Sequence, residues 1–140
     1  MNKIKCSYLG DLKCEAKHHQ SGNIINTDAP LDHCGKGENF SPTDLLATSL
    51  GTCLLTIMAI KARRNGWELE NIFLDIEKIM TKTKERKIAQ LKIDIYIPEN
   101  LPKEKIEFIK NASKDCPVTR NLSESLDLQV IWHFRKTLQK

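Results

Sequence analysis

Ser41-Pro42-Thr43-Asp44-Leu45-Leu46-Ala47-Thr48-Ser49-Leu50-Gly51-Thr52-Cys53-Leu54-Leu55-Thr56-Ile57-Met58-Ala59-Ile60 is the stretch on which the fold of this chain turns. Ser41 offers an oxygen to the free N–H groups of a first helical turn, Pro42 suits the first helical position, and Asp44 stands three residues after the cap. Leu46, Leu50, Cys53, Ile57 and Ile60 recur at spacings of 4, 3, 4 and 3, a helical stripe that includes a thiol. Leu45, Ala47, Leu54 and Met58 make the other side apolar too, which predicts a central helix rather than a surface one. Lys61, Arg63, Arg64 and Gly66 supply the C-terminal charge and the stop. The uncharged run from Leu45 to Ile60 is 16 residues long and carries Thr48, Ser49, Gly51, Thr52 and Thr56. It is too short and too polar for a bilayer span, and no membrane association is expected.

Before this helix the chain reads as a meander of short strands. Lys3, Lys5 and Ser7 alternate with Ile4, Cys6 and Tyr8; Gly10-Asp11 is a turn; Leu12 to His18 continues; Ser21-Gly22 turns again into Asn23 to Thr27. Residues 28–40, with Pro30, Gly35 and Gly37, form a loop. After the helix comes a long hairpin, with one arm from Phe73 to Met80 and a polar tip from Lys82 to Lys87. In its second arm Leu91, Ile93, Ile95 and Ile97 alternate with Lys92, Asp94 and Tyr96, so that strand is buried on one face only. Pro98 and Pro102 introduce an amphipathic helix with Ile106, Ile109 and Ala112 inward. Asp115 and Pro117 interrupt it, a short second turn runs from Pro117 to Leu122, and Leu126 to Phe134 is a final strand. No repeat or linker divides the chain, so residues 1–140 read as one α+β domain.

Composition narrows the function. A net charge of +4 is modest and is dispersed in Lys/Glu mixtures without interleaved aromatics, which argues against nucleic-acid binding. The N-terminus lacks a signal-peptide core, and five cysteines without paired spacing suit a reducing compartment, so a cytoplasmic protein is expected.

Thiol chemistry is the leading reading. Cys116 opens Cys116-Pro117-Val118-Thr119-Arg120, where a new helical turn begins, and free amides there favour a thiolate. Arg120 is placed to add positive charge. The alternative for Cys116, and for Cys53 in its uncharged helix, is apolar core filler. Cys6 and Cys14 read as strand packing or surface residues, and Cys34 as a loop thiol. His18, His19, His33 and Cys34 are the only cluster of metal-ligand types, and they lack ligand spacing; adjacent His18 and His19 point to opposite faces of a strand. Neither metal nor cofactor is therefore expected, and a metal or redox sensor through His33 and Cys34 stands as a third reading. No phosphate-cradling glycine motif and no GxSxG elbow occurs.

Three segments together, Gly35-Lys36-Gly37-Glu38-Asn39-Phe40-Ser41-Pro42-Thr43-Asp44-Leu45-Leu46, Leu50-Gly51-Thr52-Cys53 and Cys116-Pro117-Val118-Thr119-Arg120-Asn121-Leu122, resemble the OsmC/Ohr family of osmotically induced and organic hydroperoxide resistance proteins. The resemblance implies an OsmC-like fold in an intertwined homodimer. It further implies a thiol peroxidase for organic hydroperoxides, with Cys53 as the peroxidatic thiol, Cys116 as its disulfide partner and an external thiol as reductant. The family's nucleophile is activated by an early-strand Arg paired with a Glu near the start of the cysteine helix. This chain has no Arg before Arg63, and the Glu position falls at Thr43 or Asp44. Asp44 is thus a candidate substitute for that Glu as well as a capping residue, and Lys13, Lys17 or Lys36 are the candidate cations. Without a nearby cation a buried Cys53 has a raised pKa, which implies weak or altered activity. The rival is a non-catalytic binding module for a small apolar ligand.

Overall fold

The computed structural model describes residues 2–136 and forms two compact units that divide between Leu46 and Ala47. The first unit holds an antiparallel sheet of β1 (Ile4–Gly10), β2 (Lys13–His18) and β3 (Ile24–Asp28), in that order. Its register sets Cys6 opposite Ala16 and Tyr8 opposite Cys14, with Ala16 in turn opposite Ile25. One face therefore carries Ile4, Cys6, Tyr8, Cys14, Ala16 and Ile25, and it stays open: Ile4 and Tyr8 are each 67% exposed. The following loop is fastened to the sheet by Asp28, whose buried carboxylate accepts the Glu38 amide at 3.0 Å and pairs with Lys13 at 3.3 Å. A Cβ on Gly35 would lie 1.6 Å from the Ala29 carbonyl oxygen, so only glycine lets the backbone approach there.

The helix α1 (Pro42–Arg64) starts and stops where its sequence directs. The Ser41 Oγ accepts the Asp44 amide at 3.1 Å and the Asp44 carboxylate accepts the Ser41 amide at 2.9 Å, a reciprocal capping box. At the far end Gly66 takes a positive φ, Trp67 N–H donates to the Ala62 carbonyl and Gly66 N–H to that of Arg63, the paired bonds of a Schellman stop.

In the second unit, β4 (Phe73–Met80) and β5 (Ile88–Pro98) form the expected antiparallel hairpin, and Thr81 closes its tip by bonding Lys87 in both directions. Then β6 (Asp127–Arg135) pairs with β5 in parallel, giving the order β4-β5-β6. A parallel neighbour cannot be reached by a tight turn. The connection is made by α2 (Lys103–Ser113) and the single turn α3 (Pro117–Arg120). Leu91, Ile93, Ile95 and Ile97 of β5 are all within 1% of complete burial and form a core with Ile106, Ile109 and Ala112 of α2 and Leu50, Leu54 and Met58 of α1.

The buried flank of α1 is Ala47, Leu50, Gly51, Leu54, Met58 and Ala62, whereas Leu46 and Ile60 are exposed at 38% and 41%. Apolar residues occupy nearly the whole circumference, so periodicity alone could not choose the flank. The helix outruns its uncharged stretch and is long and apolar enough to cross a membrane, yet one side packs on a sheet as a core helix does.

Candidate functional site

Cys53 lies at the border between the buried and open flanks of α1 and is half-buried; Cys116 is the N-cap residue of α3 and has no exposed surface. Two different parts of the chain bring them together. The capped helix fixes Cys53, and Pro117, which suits a first helical position and disfavours helix before it, fixes the bend at Cys116. Cys53 packs against the core cluster that contains Cys116, and each thiol acts on the ionisation of the other.

The pair is electrically unequal. Burial is the main influence on Cys53 and pushes its thiol up; Cys116 pushes it further, and the Val118 amide opposes both. Burial also acts most strongly on Cys116 and would raise it. The donors close to it, Cys53 first, then the Thr119 hydroxyl and amide and the Val118 amide, together outweigh burial and hold Cys116 below the ordinary thiol value. The Cys116 side chain nonetheless makes no cap hydrogen bond to α3. Arg120, expected to assist Cys116, pairs instead with Asp115 at 2.9 Å, and Lys61 of α1 binds the same carboxylate. This three-residue link ties α1 to the bend that carries Cys116.

Cys53 opens on a cleft of about 330 Å³ lined by Ser49, Thr52, Thr56, Ile57, Ile60 and Pro117. That is the lower end of the size range of small-molecule sites. The wall is apolar with a hydroxyl edge and carries no charged side chain. Ser49, Thr52 and Thr56 recur at helical spacing, the one sequence signal that could have found this edge. Thr52 donates its hydroxyl proton to the Thr48 carbonyl at 2.8 Å.

The sequence pattern of the OsmC-like protein family matches residues 35–131, which include Cys53, Cys116 and the whole of α1. The chain belongs to this family. A solved structure from Psychrobacter arcticus 273-4, named for osmotic stress induction and a detoxification response, is 40% identical over 95% of this chain and 96% of its own, with a TM-score of 0.87. The uncharacterized protein YmaD of Bacillus subtilis (strain 168) is 26% identical over 121 residues, 79% of each chain. The organic hydroperoxide resistance protein OsmC from Legionella pneumophila shares the fold, with a TM-score of 0.71 at 16% identity and coverage of 95% and 96%.

Within this OsmC-like chain the remaining sequence candidates are distributed as follows. Asp44 serves the cap of α1. Lys13 pairs with Glu38 at 2.5 Å as well as with Asp28, and Lys36 pairs with Asp11 at 2.7 Å. None of the influences on Cys53 is a cation. His33 and Cys34 are exposed in the loop, and among the described residues no three His, Cys, Asp or Glu side chains gather as a metal site.

Proposed function

We propose that this protein is a thiol-dependent peroxidase that reduces organic hydroperoxides through Cys53 and Cys116. The observation that carries the reading is a thiol in the wall of an apolar cleft, packed against the core that holds a second, fully buried thiol. Cys53 is the sulfur a substrate can reach, so attack is assigned to it. In the cycle its sulfur takes the distal oxygen of the hydroperoxide; the O–O bond breaks, the alcohol leaves, and Cys53 becomes a sulfenic acid. Cys116 then attacks the Cys53 sulfur, and the S–S bond forms as the S–O bond breaks and water departs. An external thiol reduces the disulfide and restores the pair. Asp44 contributes by holding the first turn of the cysteine helix. Turnover is slow relative to an enzyme with a guanidinium at the nucleophile, because nothing cationic offsets the burial of Cys53.

The same reading makes residues 1–140 one OsmC-like domain of a cytoplasmic, intertwined homodimer. The open apolar face of β1–β3 and the open flank of α1 support it, since a second copy would cover them.

One equivalent of cumene hydroperoxide is expected to consume two of the five thiols of the wild-type protein. Cys53→Ser should consume none and show no turnover with a dithiol reductant. Retention of all five thiols by the wild type would instead favour a non-catalytic module that holds a small apolar ligand. The raised Cys53 pKa and the uncharged cleft are the observations behind that second reading.

A further inference from the structure

Cys116 is sealed in the core, yet polar contacts at the residue itself hold it only loosely. Its side chain makes no cap hydrogen bond to α3. Its N–H donates to the Ser113 carbonyl and its carbonyl accepts the Arg120 N–H, both at 3.4 Å, longer than an ordinary backbone bond. The residue before it is held more firmly. One oxygen of the Asp115 carboxylate is bound by the Lys61 ammonium, and the other by the Arg120 guanidinium at 2.9 Å. Arg120 closes α3, so its pair with Asp115 clips that single turn from end to end, with Cys116 inside the clip. Lys61 stands on α1 eight residues beyond Cys53. That is about 12 Å along the axis, and helical side chains lean back toward the N-terminal end. The bend that carries one thiol is thereby fastened to the helix that carries the other. Exposed ion pairs contribute little to folding stability, and the Asp115 and Arg120 side chains are 43% and 64% exposed. What this link supplies is placement.

We propose that Asp115 is a positioning residue for the thiol pair: bound at once by Lys61 and Arg120, its carboxylate holds the Cys116 bend against α1 for disulfide closure. The inference rests on the peroxidase reading above and adds to it a residue that does not line the cleft. In the closure step the Cys116 sulfur attacks the sulfur of the Cys53 sulfenic acid. The S–S bond forms, the S–O bond breaks, and the hydroxyl leaves as water with the Cys116 proton. The hydroperoxide has by then become its alcohol, and the external thiol later returns the two electrons. A disulfide tolerates only a narrow range of Cβ separation and dihedral angle, so a displaced bend slows closure. Attack on the peroxide involves Cys53 and the cleft, and it keeps its rate. A Cys53 left longer as the sulfenic acid meets a second hydroperoxide and passes to the sulfinic acid. The same link acts at equilibrium, because a frame that holds two thiols near closure geometry favours the disulfide over the dithiol.

The test compares the wild type with Asp115→Asn and Asp115→Glu in two assays, with the Cys53–Cys116 disulfide located by peptide mass spectrometry. With one equivalent of cumene hydroperoxide, Asp115→Asn should form the Cys53 sulfenic acid, trapped by dimedone, at the wild-type rate. Its disulfide should close slower by about tenfold, within the loss that a small misplacement brings. In a glutathione redox buffer without peroxide, the same variant should hold a smaller fraction of the disulfide at equilibrium. Asp115→Glu should recover both. Lys61→Gln should reproduce both shifts, and the double variant should be no slower than either single one, since each removes the same link. Wild-type closure in Asp115→Asn, or equal slowing of peroxide attack and closure, overturns the positioning role and leaves the peroxidase standing. A wild type that forms the disulfide in glutathione but not with hydroperoxide overturns the peroxidase; an unchanged glutathione equilibrium in Asp115→Asn still overturns the role of Asp115. A wild type that forms this disulfide in neither assay overturns both.

Discussion

Asp28 shows how much a single carboxylate can organise. Its side chain is fully buried, and the Glu38 amide above all, with the Lys13 ammonium in support, holds its pKa below the ordinary carboxylate value despite the opposing effect of burial. A depressed folded pKa means that the unfolded chain takes up the proton first as pH falls. The stabilisation is therefore complete above about pH 4, the unfolded value, and is lost as pH drops through the lower folded value. Thermal melts between pH 5 and pH 2, taken as round working limits about that value, should show a shallower loss of Tm for Asp28→Asn than for the wild type. Equal slopes would show that Asp28 does not carry this linkage. The residue scale is also where the sequence was most legible. The setting of each thiol, one in an uncharged helix and one before a proline at a turn, foretold the direction of its pKa shift. The partners of Arg120 and Lys61 were not foretold, because an ion pair between α1 and the distant Asp115 leaves no local pattern.

Among the elements, α1 is the one whose position matters most to the site, and Gly51 sets how closely it lies on the sheet. A Cβ there would come within 2.7 Å of Ile76 Cδ1 and 2.9 Å of Leu74 Cδ1. Those are the flexible ends of side chains, so a methyl group meets something that can yield, and the helical preference for Ala over Gly offsets part of the cost. A branched side chain has no such room. Gly51→Val is expected to destabilise the fold by about 1–3 kcal/mol, the usual range for overpacking, as measured by denaturant unfolding; a neutral effect would mean that the helix can shift freely. The ends of α1 were readable because caps are local: Ser41, Pro42 and Asp44 at one end, Gly66 at the other. Its buried flank was not, since a helix apolar on nearly every side gives periodicity nothing to discriminate. Cys53 therefore reached the edge of the cleft by a choice that depends on the sheet beneath.

For the whole molecule, the exposed apolar surfaces bear on assembly. Ile25 is 50% exposed on the face of β1–β3 that also carries Ile4 and Tyr8. Sedimentation should give a particle of twice the 16.0 kDa chain mass, and Ile25→Lys should weaken association at least about tenfold if even one isoleucine per copy is buried there. A wild-type protein that sediments as a single chain would remove the homodimer from the reading. The antiparallel hairpin was legible in the alternation of Leu91 to Ile97, whereas the parallel placement of β6 was not, because strand order is decided by contacts remote in the chain. That placement has a consequence for how freely the gene can vary in length. The tip between β4 and β5 ends in solvent and can gain or lose residues while both arms keep their register. The span from β5 to β6 is anchored at both ends to the same sheet and has a sulfur fastened part-way along it. One codon added there shifts the ruler against its mark, so insertions should be tolerated at the hairpin tip and selected against between Glu99 and Leu126.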